Sequence, residues 1–311
     1  MDVLFIGGCA RSGTTLLAGM LANHPRHCAP QELLFKQELW YMSDAEGMLL
    51  PSRVIPALRR HLHFRIMMEA IPDAQWQQLP ERMHWKALLE WLVQRYAQAA
   101  YGKDVCTVWI DHSVSNLEQI HFLTQHFPQA RFVHIVRDGR AVAASFKRIN
   151  WWGPTTVPVA AGWWKEAIFK GIFAEVAFPD RVLRVRYEDL LEHPEEELRR
   201  ICQWAHLEYH PAMLEGKGVA IHPIFRDQHR YVGTGIQRDR KDRWKKELSA
   251  REIEIFEALT AELLRFFHYP LVYDKPVAPS RREWLYYQGV ERWGSVMQKI
   301  RRRLRIRRYL R

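Results

Sequence analysis

The sequence predicts an α/β fold, with a central parallel sheet flanked by helices and a basic amphipathic helix at the C-terminus. Three observations carry this expectation. Short apolar runs at Val3–Ile6, Val105–Ile110, Arg131–Val136 and Arg181–Val185 are each followed by a segment of helical character. The first run ends in Gly7-Gly8, the form of a buried parallel strand about to turn. With 311 residues, 48% of them hydrophobic, the chain can bury a large core.

The elements follow in order. Leu16–Leu21 reads as a helix stopped by Asn23-His24-Pro25. Residues 52–100 are mostly helical in pattern, with turn signals at Pro72 and Pro80. The strand at Val105–Ile110 ends in Asp111-His112-Ser113, and the helix over Leu117–His126 stops at Pro128. A helix over Arg140–Arg148 follows the strand Arg131–Val136, and Trp163–Ala177 is helical again. Arg181–Val185 precedes a helix over Glu195–Ala205. Residues 207–245 lack periodicity and read as long loops over a site. Arg251–Phe267 closes the globular part, which divides the chain into a domain at 1–279 and a tail at 280–311. In the tail, Tyr286, Val290, Trp293, Met297, Ile300 and Leu304 recur at spacings of four and three, one stripe of a helix set among arginines.

Charge is concentrated in that tail. The formal net charge is +11, but residues 281–311 hold eleven Lys/Arg against two Glu, a net +9, leaving +2 for the rest. The body is therefore nearly neutral, which argues against a nucleic-acid partner. The tail suits an anionic membrane surface, a protein partner or packing against the body. Cys9, Cys28, Cys106 and Cys202 are far apart with no CxxC, a pattern that predicts a reducing compartment rather than a disulfide framework. The fifteen histidines are scattered without HExxH, so no metal is expected. No basic n-region precedes the first strand, and no run of about twenty apolar residues occurs. The expectation is a cytoplasmic protein, with peripheral membrane association open to the tail.

The densest signal is Gly7-Gly8-Cys9-Ala10-Arg11-Ser12-Gly13-Thr14-Thr15, joining a buried strand to a helix. At a helix N-terminus, unpaired N–H groups and the positive dipole end converge, and glycines let an anion approach. Thr14 and Thr15 add hydroxyl donors. From Gly8 the string nearly fits GxxxxGK[ST], but Thr14 stands where the lysine belongs, which disfavours nucleoside triphosphate hydrolysis.

Cys9 to Leu16 resembles the 5'-phosphosulfate loop of sulfotransferases that use 3'-phosphoadenosine 5'-phosphosulfate (PAPS), and the Arg-Ser-Gly-Thr-Thr variant is similar to the tyrosylprotein and bacterial branch. That resemblance implies a second, 3'-phosphate motif. Arg131 through Arg140, followed by Ser145, resembles it: Arg137 leaves a strand and Ser145 lies eight residues on in the next helix. An arginine fork suits a phosphate dianion. Read alone, Arg137 and Asp138 form a local ion pair and Ser145 is a small packing residue. Tyr187-Glu188-Asp189-Leu190 resembles the family segment whose tyrosine lies near the nucleotide. Gly233-Thr234-Gly235 through Arg238, Arg240, Lys241 and Trp244 resembles the lid over the 3' side, and Trp163-Trp164 falls where the family has a tryptophan-bearing helix.

The resemblance also implies roles. Arg11 would offset charge on the leaving 5'-phosphate, helped by loop N–H groups. Glu32, 21 residues after Arg11, stands where the tyrosylprotein-like branch has its catalytic glutamate, and would be the general base. The family's lysine near Asp111 is replaced by His112, which would donate to a sulfonate oxygen or act as an alternative base. Arg148 falls one residue short of a 3'-phosphate arginine of some relatives. The co-substrate is then PAPS, the product adenosine 3',5'-bisphosphate, and the acceptor a hydroxyl of carbohydrate, lipid-linked glycan or tyrosine. The competing classes are a P-loop-type small-molecule kinase using ATP–Mg²⁺ and a non-catalytic basic membrane- or partner-binding protein.

Overall fold

The computed structural model describes residues 1–229, 232–233 and 237–309. Its main sheet has five parallel strands, β1 (Asp2–Gly8), β2 (His27–Cys28), β5 (Val108–Asp111), β6 (Arg131–Val136) and β7 (Val182–Arg186), in the order β2-β5-β1-β6-β7. Two further strands, β3 (Met48–Leu49) and β4 (Met83–His84), form a separate antiparallel pair. The central strands are largely apolar and pair in register, with Leu4 opposite Ile110 and Ile6 opposite Val133. Such strands are buried on both faces, as parallel sheets require.

Helices cover both faces. α1 (Thr14–Leu21) follows β1, and α2 (Lys36–Tyr41), α3 (Pro51–Leu58), α4 (Leu62–Ala70), α5 (Asp73–Trp76) and α6 (Trp85–Tyr101) fill the stretch before β5. α7 (Ile120–His126), α8 (Gly139–Lys147), α9 (Val157–Ala177), α10 (Tyr187–Glu192) and α11 (Pro194–Ala205) accompany the later strands. α12 (Trp244–Glu247), α13 (Ala250–Phe266) and the 29-residue α14 (Arg281–Tyr309) complete the chain. One core packs Phe5, Trp109 and Phe132 against Trp85 and Leu89, while another packs Ile6, Ile110 and Ile135 against Leu17 and Leu21.

Several boundaries differ from the sequence reading for local reasons. α9 begins at Val157 rather than Trp163, because Pro158 sits in its first turn, where a missing N–H costs nothing. The helix expected over Leu117–His126 starts at Ile120, preceded by a 3₁₀ turn at Val114–Asn116. Strands β2, β3 and β4 are two residues each, too short to show a period.

The expectation for the cysteines is corrected. Cys28 and Cys106 form a disulfide with Cα atoms 5.9 Å apart, while Cys9 and Cys202 are free and buried. Their separation of 78 residues hid the pair, because β2 lies beside β5 and brings the two segments together.

Candidate anion-binding and catalytic site

In a parallel sheet of this kind, ligands bind beyond the carboxyl ends of the strands, where the order reverses. Each candidate residue follows a strand at that edge: Arg11 after β1, Glu32 after β2, His112 after β5, Arg137 after β6 and Tyr187 after β7. They surround a cavity of about 450 Å³ with Gly13, Thr14, Thr15 and Arg240.

The loop after β1 is shaped for an anion. Gly13 has φ 104°, and a Cβ there would stand 2.5 Å from the Tyr187 ring, so only glycine fits between loop and tyrosine. α1 has no side-chain cap, leaving its first-turn N–H groups for another acceptor. Among the described residues, the buried Ser12 Oγ has no hydrogen-bond partner.

The two segments expected to hold the phosphates meet at Arg11. Its Nε–H donates to Ser145 Oγ at 3.2 Å and its Nη2 to the Gln228 carbonyl at 2.7 Å. Arg137 Nη1 donates to the Arg11 carbonyl at 2.9 Å, and its guanidinium lies 4.3 Å from the Tyr187 ring centroid. The Trp164 indole N–H holds the Arg137 carbonyl at 3.0 Å, while its neighbour Trp163 is exposed. The local Arg137–Asp138 pair does not form. Asp138 instead caps α8 and receives Arg140 Nε at 3.0 Å and Nη2 at 2.7 Å, leaving Arg137 for the cavity.

Positive charge is crowded here. Burial, then the neighbouring Arg137, Arg240 and Arg148, depress the Arg11 pKa to about 10. Among the described residues, no carboxylate accepts a hydrogen bond from Arg11 or Arg137, and Arg137 Nε is buried without a partner. A buried cationic cluster with spare donors is stabilised by a polyanion. Arg148 contributes its field but pairs with Glu247. The exposed Arg238 donates to the Glu192 carbonyl at 3.4 Å and is not drawn into the cluster. Of the proposed lid, Thr234 and Gly235 lie outside the described residues.

Glu32 stands on a loop fixed from both sides. Gln31 Nε2 donates to Tyr96 Oη at 2.9 Å and to the Ala220 carbonyl at 3.1 Å, and Tyr101 Oη donates to the Ala29 carbonyl at 2.6 Å. Burial, then the charge of Asp111, raise the Glu32 pKa to about 7. His112 Nδ1 is 3.9 Å from Glu32 Oε1, and His112 Nε2 is 3.1 Å from the Pro30 carbonyl. Nε2 therefore carries the proton, and burial depresses the His112 pKa, so Nδ1 presents a lone pair toward Glu32.

The sequence reading missed Lys36. This residue is fully buried, with Nζ 2.9 Å from Asp111 Oδ2 and 3.3 Å from Ser113 Oγ. Burial alone would raise the Asp111 pKa, but Lys36 and the Ser113 donors hold it below the usual range. A cation thus stands beside Asp111 although His112 occupies the sequence position of the family's lysine. His63 and His229 were also missed; both line the cavity and are kept neutral chiefly by burial.

A helix N-terminus, a cluster of arginines and a carboxylate of raised pKa share one cavity, an arrangement suited to group transfer. The model described as "Sulfotransferase family" matches residues 3–211, most of the chain, and the chain belongs to that family. It is 27% identical over 226 residues to "Protein-tyrosine sulfotransferase 1" of Danio rerio, covering 69% of this chain and 56% of that protein. It is 28% identical over 230 residues to "Protein-tyrosine sulfotransferase" of Drosophila melanogaster, covering 69% of this chain and 40% of that protein. The chain thus matches about half the length of these relatives. It is also 25% identical over 255 residues to an "Omega-hydroxy-beta-dihydromenaquinone-9 sulfotransferase" of Mycobacterium bovis, covering 64% and 61%. Its fold resembles the "Sulfotransferase Domain from the Curacin Biosynthetic Pathway", with TM-score 0.59 and 18% identity over 87% of this chain and 98% of that one. The "Sulfotransferase Domain from the Synechococcus PCC 7002 Olefin Synthase" gives 0.55 and 25%, over 87% and 95%.

Proposed function

We propose that the protein transfers a sulfuryl group from PAPS to an acceptor hydroxyl by in-line displacement, with Glu32 as general base. The observation that carries this reading is the junction at Arg11, where the loop after β1 and the Arg137/Ser145 motif meet in one cationic cluster. A nucleotide phosphorylated at both 3' and 5' positions matches two adjacent anion sites better than a triphosphate does. Thr14 in place of lysine agrees with that choice of donor.

In this reading, Ser12, Thr14, Thr15 and the first-turn N–H groups of α1 hold the 5' end, and Arg137 and Ser145 hold the 3'-phosphate. Tyr187 backs the loop beneath Gly13, and Arg240 closes the 3' side. As the acceptor oxygen bonds to sulfur, the bridge to the 5'-phosphate breaks, and Arg11 offsets the growing charge. Glu32 takes the acceptor proton once ionised, and the His112 Nδ1 lone pair, 3.9 Å away, is placed to accept that proton from the protonated carboxyl group. Lys36 holds Asp111 in place behind them.

The acceptor side of the cavity is lined by Leu34, Phe35, Leu62, Trp151, Ile221 and Phe225. These walls support an acceptor whose hydroxyl is attached to an apolar or aromatic portion. Incubating the protein and a cell extract with labelled PAPS, then locating labelled sulfate by mass spectrometry, tests the reaction. Wild-type protein should label a hydroxyl product that Glu32→Gln does not. Labelling unaffected by Glu32→Gln would remove Glu32 from the role of base.

A further inference from the structure

α14 has two unlike faces. One is docked on the body through polar contacts. Glu291 Oε2 accepts from Thr155 and Thr156 Oγ1, each at 2.9 Å, and Gln298 Nε2 donates to the Trp152 carbonyl at 3.3 Å. Arg305 Nε donates to the Ile224 carbonyl at 2.7 Å and Nη1 pairs with Asp227 at 2.9 Å. Gly294 passes so close to Thr155 that a Cβ there would stand 2.6 Å from its hydroxyl. Positions 291, 294, 298 and 305 share one helix face.

The opposite face is apolar and uncovered. Tyr286 is 66% exposed, Trp293 69%, Ile300 46% and Leu304 59%. A helix already tethered by polar contacts has no structural use for such a stripe on its outer side. Both acids of the segment are turned inward: Glu291 binds the threonines, and Glu283 pairs with Arg251 at 2.8 Å. The exposed Arg292, Lys299, Arg303 and Arg307 beside the stripe consequently have no neighbouring carboxylate from this helix.

We propose that α14 seats the protein on an anionic lipid bilayer, with the stripe in the interface and the arginines among the headgroups. An apolar face bordered by cations complements an anionic surface, and Trp and Tyr favour that depth. The arginine stems extend apolar contact while their heads stay hydrated. Among the described residues no helix is long and apolar enough to cross a membrane, so α14 lies along the surface. Pairing with a second copy would bring two segments of net charge +9 together, which disfavours that occupant.

The seat adjoins the cavity. Arg302 lines it, and Arg305 lies over Trp151, a wall of its acceptor side. A bilayer under α14 is then about one helix diameter, roughly 10–12 Å, from those walls. That consequence rests on the proposed sulfotransferase reading, whereas the seat itself does not.

Flotation of the full chain with vesicles tests the seat. The protein should float with phosphatidylcholine–phosphatidylglycerol vesicles, should not float with phosphatidylcholine alone, and should release as sodium chloride rises. The double variant Trp293→Glu/Ile300→Glu should lose at least tenfold in vesicle affinity while binding adenosine 3',5'-bisphosphate like wild type. Arg303→Gln/Arg307→Gln, which keeps the stripe, should bind the mixed vesicles more weakly. No flotation of wild type, or equal flotation of the stripe variant, would overturn the proposal. So would a dimer that the stripe variant abolishes in a protein that ignores vesicles. Bisphosphate binding reads the catalytic reading separately, since it can fail while flotation succeeds.

Discussion

Arg11 donates from Nε to Ser145 Oγ at 3.2 Å, tying the loop after β1 to the helix after β6 across 134 positions. In the proposed function the two segments act as one unit, so damage to either should be felt by the whole nucleotide. Ser145→Ala should weaken adenosine 3',5'-bisphosphate binding several-fold. Arg137→Ala should cost about 10–100-fold, since bonds to a charged group contribute about 1.5–3 kcal/mol. Arg137→Lys should not restore it, because the planar fork is lost. Isothermal titration of the three variants reads these effects, and wild-type affinity in Arg137→Ala would remove that residue from the site.

As the proposed base, Glu32 would set the pH dependence. A general base works ionised, so with its pKa raised to about 7 the rate should rise as pH increases through that value. Glu32→Gln should lower kcat by about 10²–10⁴-fold and remove that limb of the profile. The stability effect has the opposite sense. The folded state suppresses ionisation, so at pH 8 the charged carboxylate opposes folding, and Glu32→Gln should raise Tm there. The gain should shrink as pH falls toward 4.5, the unperturbed value, where protonation relieves both states. Thermal melts across that range check the sign.

Arg140 marks a structural centre beneath the site. Buried, it is shared by Asp138 and Glu257, with Glu257 Oε1 2.5 Å from Nη1. Glu257 also receives the Val272 and Tyr273 N–H groups at 2.9 and 3.0 Å. Glu257→Ala removes one acid from a buried cation and strands two donors, and should destabilise by about 3–5 kcal/mol. Denaturant unfolding measures this; a loss under about 1 kcal/mol, the scale of a single ordinary hydrogen bond, would show that Asp138 alone suffices.

The Cys28–Cys106 bridge predicts a labelling pattern. Denatured without reductant, the protein should take up iodoacetamide at Cys9 and Cys202 only, and at all four cysteines after reduction. Four modified cysteines without reductant would show the bridge to be absent.

The sheet was legible because its strands are continuous apolar runs that end in turn or polar residues, as at Val3–Gly8 and Arg131–Arg137. The loop after β1 was legible as a candidate anion site because its glycines, arginine and threonines are adjacent in sequence. Glu32, Arg137 and Tyr187 were expected from the resemblance to sulfotransferase motifs, and the fold brings each to the same sheet edge. Lys36 was hidden because its role depends on a contact with Asp111, 75 positions away, that no spacing encodes. The disulfide was hidden for the same reason. Arg238 was expected from the resemblance of its stretch to the family's lid, but its guanidinium meets the Glu192 carbonyl. The tail's stripe was visible as a period, yet only the fold shows that it points outward while Glu283 and Glu291 point in.

The central claim is that Arg11, Arg137 and Ser145 bind one nucleotide phosphorylated at both ends. The direct measurement is calorimetric titration of the purified protein with adenosine 3',5'-bisphosphate, adenosine 5'-monophosphate and ATP–Mg²⁺. The account predicts clear binding of the bisphosphate, at least tenfold weaker binding of the monophosphate, and no preference for ATP–Mg²⁺. Tight binding of ATP–Mg²⁺ with none of the bisphosphate would contradict it.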